Sequence, residues 1–275
     1  MNDVTTEISS AESRADEWHD AMRARLPAAA DCLRVLVRRS LAVRYRRSVL
    51  GFAWSLLQPL TAMAVLTIVF ARVFPQIERY PLYVIVGVFA WGFFSLTVTQ
   101  SMDSLHGAAP ILRKVATPPV LFPLAVVAAN LVHLVLSLGL LCAIGMAFGF
   151  VAPLAVVAAV PALLPLVLLT VAAALVLSAA NVFFHDVRYF VEGMLLIGFY
   201  ATPVVYPWQI IPPELSAFVL ANPMHWALVP LRDVLWQGHA PDVTGLALTI
   251  AGCAVLTAAA AAAFARLSRS FHLYL

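Results

Sequence analysis

Long apolar runs, each closed by a short polar or proline-rich interval, dominate the chain beyond residue 50. They fall at about 51–74, 81–103, 119–149, 154–182, 187–206 and 243–265. At about 1.5 Å of helix per residue, each is long enough to cross roughly 30 Å of hydrocarbon. None shows the two-residue alternation of a membrane β-barrel. The pattern predicts an all-α polytopic membrane protein with six transmembrane helices. Pro161 and Pro165 are expected to kink or break the fourth near its start. The interval 207–242 differs, being broken by Pro207, Pro212, Pro213, Pro223 and Pro230 and charged at Glu214, Arg232 and Asp233. Short re-entrant or interfacial helices at about 208–237 fit it better than the alternative, a seventh span.

Ahead of the first span, residues 31–50 read as an amphipathic helix. Leu33, Leu36, Val37, Ser40, Leu41, Val43 and Tyr45 gather on one side, and Arg34, Arg38, Arg39, Arg46 and Arg47 on the other. Val35 and Arg44 are the misfits. Such a helix lies flat on an anionic leaflet with its arginines toward the headgroups. Residues 1–30 carry both charge signs and lack the apolar core of a signal peptide, so they read as a polar lead.

Composition agrees with the pattern. The chain has 275 residues, 63% hydrophobic and 11% charged, against about half and about a quarter in soluble domains. Charge placement sets the orientation. With a cytoplasmic N-terminus, the inner flanks hold Arg34, Arg38, Arg39, Arg44, Arg46, Arg47, Arg113, Lys114, Arg188, Arg266 and Arg269. The outer flanks hold only Arg72, Arg79 and Arg232. The excess of inner basic residues predicts both termini, including residues 266–275, in the cytoplasm. ILRKVATPP (111–119), with the only lysine in the chain, becomes a cytoplasmic turn between spans two and three.

The sequence lacks the motifs of a membrane enzyme: no H-E-x-x-H, no G-x-S-x-G, and no G-x-x-x-x-G-K-[ST] to cradle a nucleotide. Cys32, Cys142 and Cys253 are scattered and imply neither a disulfide framework nor a metal site. Polar residues at membrane depth are few: Gln58, Asn130, His133, Asn181 and Glu192. Glu192 stands four residues after Arg188, which suits a local ion pair. His133 and Asn130 share a face and suit hydrogen-bonded packing. If the protein uses ATP, another polypeptide hydrolyses it.

Five stretches in order carry a resemblance. They are LAVRYRRSVLGFAWSLLQPL (41–60), ILRKVATPP (111–119), NVFFHDVRYF (181–190), ATPVVYP (201–207) and ANPMHWALVPLRDVLWQG (221–238). Together they resemble the membrane subunit of ABC type-2 exporters, and more narrowly the permeases that export O-antigen, capsule, wall teichoic acid or similar lipid-linked glycans. The resemblance spans roughly 31–270. Two departures stand out: His185 where the family often has Arg, and Val115-Ala116-Thr117 where a more aromatic form is usual.

The resemblance implies a homodimer paired with two copies of a cytoplasmic ATPase subunit. ATP and Mg would then sit on that subunit, with no cofactor in this chain and no nucleic acid among its partners. It makes Ile111, Leu112, Arg113, Lys114 and Val115 a coupling turn that docks on the ATPase. The implied substrate is a glycan on a polyprenyl pyrophosphate. Arg44, Arg46 and Arg47 are the nearest basic groups for that head, and Phe52, Trp54, Tyr200 and Tyr206 are aromatic candidates for a glycan-channel lining. His185, Asp186 and Arg188 form a cytoplasmic turn. Arg232 and Asp233 fall in an external gate, where they either pair or bind across it or serve simply as surface residues. Two rival readings remain at this point: an exporter of small amphiphiles such as drugs, and a membrane-embedded transferase of lipid-linked sugars.

Overall fold

The computed structural model describes residues 29–42, 57, 60, 61, 64–66, 68, 69, 72, 78–114 and 117–274. Its helices are α1 (Tyr80–Leu112), α2 (Leu121–Ala147), α3 (Pro153–Ala162), α4 (Leu164–Phe183), α5 (Val187–Ala201), α6 (Pro213–Ala221), α7 (Pro223–Arg232) and α8 (Val243–Leu267). Residues 29–42 are also helical, and the described residues contain no strand. α1 and α4 form the spine; α2 packs on α1, and α8 packs on α4.

Two apolar clusters hold the ends of the spine. One joins Tyr83, Val84 and Phe89 of α1 to Leu166 of α4 and to Leu228 and Leu231 of α7. The other joins Leu105 of α1, Phe122 of α2, Leu175 of α4 and Phe264 of α8, with Leu36 of the 29–42 helix against it. α8 keeps only a narrow buried stripe, Cys253, Ala260 and Phe264, and leaves Leu248 and Val255 open. A helix apolar on its outer face belongs in lipid.

Among the described residues, four helical stretches are long and apolar enough to cross a membrane: Tyr80–Leu112, Leu121–Ala147, Pro153–Phe183 and Val243–Phe271. The fourth expected span is broken as its prolines required, with Leu163 separating α3 from α4. Most of 51–74 lies outside the described residues. The fifth span, expected at 187–206, ends as a helix at Ala201. Thr202 precedes Pro203 and is extended, with φ −95° and ψ 135°, because the proline ring disfavours the α conformation in the residue before it. The second span, expected at 81–103, continues as helix to Leu112. Its polar continuation stays helical because neighbouring helices hold its side chains, with Pro110 inside the last turn.

Hydrogen bonds fix the register of this packing. Asn130 of α2 is buried and donates to Thr97 Oγ1 and Gln100 Oε1 of α1, both at 3.1 Å. Asn130→Leu is expected to cost about 1 kcal/mol, the scale of one interhelical hydrogen bond in a membrane protein. Thermal unfolding in detergent measures it.

Candidate functional site

The candidate residues divide between the two ends of α1. At its C-terminal end, Ile111 and Leu112 are the last helical residues, half-buried, while Arg113 and Lys114 form an exposed turn. The backbone N–H of Arg113 donates to Ala109 O and that of Lys114 to Ile111 O, both at 3.0 Å. The elbow is thus a frayed helix end rather than a free loop. Val115 lies outside the described residues, as do Arg44, Arg46, Arg47, Phe52 and Trp54.

The 29–42 helix lies at this same end. Leu33, Leu36, Val37, Ser40 and Leu41 are half-buried, whereas Arg34, Val35, Arg38 and Arg39 are exposed. A cavity of about 490 Å³ opens between this helix, α1 and α2, lined by Arg39, Ser40, Gln100, Ser104 and Phe122 among others.

The turn 184–186 meets α1 nearby. Arg188 Nη1 donates to both carboxylate oxygens of Asp103 at 2.9 Å, and its Nε donates to Glu192 Oε1 at 3.0 Å. The Arg188–Glu192 pair is the one that the spacing suggested. Asp103 is the partner that sequence reading missed. The rings of His106 and His185 stand 4.5 Å apart, and Asn181 Nδ2 donates to Met102 O at 3.0 Å. His185 and Asp186 are exposed.

At the opposite end the chain leaves α5 and runs without helix through 202–206. Its carbonyls need donors, and α1 supplies them. Tyr80 Oη donates to Val205 O at 2.8 Å, and Tyr83 Oη donates to Tyr206 O at 2.7 Å. Arg232, at the end of α7, completes the arrangement: Nη1 donates to Pro203 O and Nη2 to Val204 O, both at 2.6 Å. Its guanidinium lies 4.0 Å from the centroid of the Tyr83 ring. Arg232 therefore points inward, and its recorded hydrogen bonds go to carbonyls rather than to Asp233. Burial pulls its pKa below the usual arginine value, with Tyr83 opposing, and burial pushes Asp233 up. An arginine stays charged through such a shift.

Gly87, one turn beyond Tyr83, makes the approach possible. A Cβ there would stand 2.6 Å from Val204 O and 2.7 Å from Arg232 Nη2. The Tyr80, Tyr83, Gly87 spacing on one helical face was the signal available in the sequence. Of the aromatic candidates, Tyr200 is exposed, whereas Tyr206 is half-buried and donates its hydroxyl to Tyr200 O.

Residues 32–236 match the ABC-2 type transporter family. The chain belongs to that family. Its members are multi-pass membrane components of transporters, and the four long apolar helices agree with this. Among curated relatives, an O-antigen export system permease protein RfbA from Myxococcus xanthus is 35% identical, over 83% of this chain and 89% of its own length. A protein of the same name from Klebsiella pneumoniae is 29% identical, over 82% of this chain and 90% of its own.

Proposed function

We propose that this ABC-2 chain is the permease subunit of an ATP-driven exporter that moves a polyprenyl-pyrophosphate-linked polysaccharide across the bacterial cytoplasmic membrane. The observation that carries the reading is the 35% identity to an O-antigen export permease over most of both chains. The polypeptide works as a homodimer with two copies of a cytoplasmic ATPase subunit, which binds ATP and Mg. Six crossings place both termini inside, with 51–74 and the α5 segment as the remaining two.

The geometry supports this assembly in two places. The exposed basic elbow Arg113-Lys114 stands at the end of a continuous helix, a shape suited to docking a soluble domain. α5 buries only Val191 and leaves Tyr189, Phe190, Met194, Ile197 and Tyr200 exposed. That stripe suits a wall shared with a second copy, where aromatic faces stack on the C–H faces of sugars. Arg44, Arg46 and Arg47 would meet the lipid pyrophosphate at the inner mouth. The helices of 208–237 would close the outer one.

Deleting the gene is expected to leave finished glycan in the cytoplasm and none at the surface, detected by surface antibody against whole-cell extract. Normal surface glycan overturns the reading. The homodimer has its own test. A Met194→Cys variant in a Cys32→Ser background is expected to cross-link to a dimer-sized band in membranes under mild oxidation. Failure at Met194, Phe190 and Ile197 alike overturns the shared wall.

A further inference from the structure

We propose that Arg232 is a positioning residue that yokes the short helices ahead of α8 to α1, so that α1 carries displacement of the elbow to the opposite end of the fold. The proposal rests on the reading of Arg113-Lys114 as the ATPase contact.

The burial of Arg232 is the starting point. Its side chain is 7% exposed, and no carboxylate pairs with it among the described residues. Burying a cation without a counter-ion is costly, and an apolar side chain of similar size would fill the space at less expense. What the guanidinium alone can do is grip. Its fork reaches two successive carbonyls, Pro203 O and Val204 O, while its flat face rests on Tyr83. Three segments meet in this one side chain: α7, the 202–206 loop and α1.

The grip is directional. Tyr80 and Tyr83 bind the same loop, Gly87 lets the backbone approach, and Trp236 Nε1 donates to Glu78 O at 2.7 Å just before α1. α5 is also tied to α1 at its other end, through Arg188 and Asp103. A turn of α1 about its axis would therefore drag α5 and α7 with it or break these bonds. From Gly87 to Leu112 α1 is unbroken helix, roughly 38 Å at 1.5 Å per residue. A packed helix of that kind transmits motion as a rigid element.

The test uses the complex of this chain with its ATPase in nanodiscs. Phe218 on α6 is exposed, and a Phe218→Cys variant in a Cys32→Ser background accepts an environment-sensitive fluorophore. ATP with vanadate is expected to shift its emission. Arg232→Gln is expected to reduce that shift about tenfold, the scale of one charge-assisted hydrogen bond, while ATP turnover continues. Tyr83→Phe keeps the ring under the guanidinium and loses the hydroxyl's bonds to Tyr206 O and Pro203 O, so it is expected to reduce the shift partially in a fully assembled complex.

A full shift in Arg232→Gln overturns the yoke. So does a loss of shift, ATP turnover and assembly in equal proportion with Tyr83→Phe unaffected, which marks a brace for folding alone. A parent complex that binds its ATPase but whose label ignores nucleotide overturns the yoke together with the elbow reading.

Discussion

Reversing both charges of the elbow, Arg113→Glu with Lys114→Glu, is expected to abolish export while the permease still folds. Both side chains are exposed beyond the last residue of α1. Their replacement disturbs no buried packing, and the helix end is held by backbone bonds from Arg113 and Lys114 that any residue makes. On the proposed docking role, the effect falls on the contact with the ATPase. If that subunit meets the basic elbow with acidic groups, like charges there would cost several kcal/mol, and a loss of about 4 kcal/mol weakens association nearly a thousandfold. Co-purification with the ATPase should fail, surface glycan should disappear, and the thermal midpoint of the isolated permease should stay put. Export at the parental level would remove the coupling role of the elbow.

The second large effect belongs to Gly87. Gly87→Val places branched carbon where only a hydrogen fits, with Val204 O and Arg232 Nη2 in the way. Overpacking costs about 1–3 kcal/mol, and pushing a buried guanidinium off its acceptors adds more. A total of about 4 kcal/mol is expected to lower the thermal midpoint by roughly 10 °C for a chain of this size. Gly92 and Gly107 lie on the same helix with open space around the missing Cβ. Alanine at either removes backbone freedom from the unfolded chain and is expected to be neutral or stabilising by up to about 1 kcal/mol. Melting curves of the three variants in one detergent separate steric cost from general helix propensity.

The contrast shows what the hydropathy pattern can and cannot carry. Apolar length announces α2, the proline-broken α3–α4 pair and α8, because lipid demands uninterrupted helix across its thickness. Pattern reading stopped α1 near Asp103 since Asp103, His106 and Pro110 look like loop residues. They remain helical because Arg188 and Asn181, about eighty positions downstream, meet that stretch. Pairings at such separation leave no periodicity in the chain. The same holds for Arg232. Its neighbour Asp233 suggested an ion pair, whereas the loop it grips became needy only because Pro203 ended α5. The turn at Arg113-Lys114 was legible as a basic interval closed by two prolines between apolar runs, which by itself suits a positive-inside anchor as well as a docking contact; the coupling role came only from the family resemblance. The aromatic and basic candidates for a sugar path came only from the family resemblance, as aromatic residues also populate membrane interfaces.

The length of α1 has a consequence for how a soluble domain meets the bilayer. Its 33 residues make a rod of about 50 Å, while the hydrocarbon slab measures about 30 Å. The surplus is about 20 Å, of which the stretch from Asp103 to Leu112 makes about 15 Å, and that stretch is packed against its neighbours through Leu105 and Ala108. On the proposed orientation and coupling role, the exposed Arg113-Lys114 tip would reach beyond the hydrocarbon, and a nucleotide-binding domain would meet a presented handle instead of pressing into lipid.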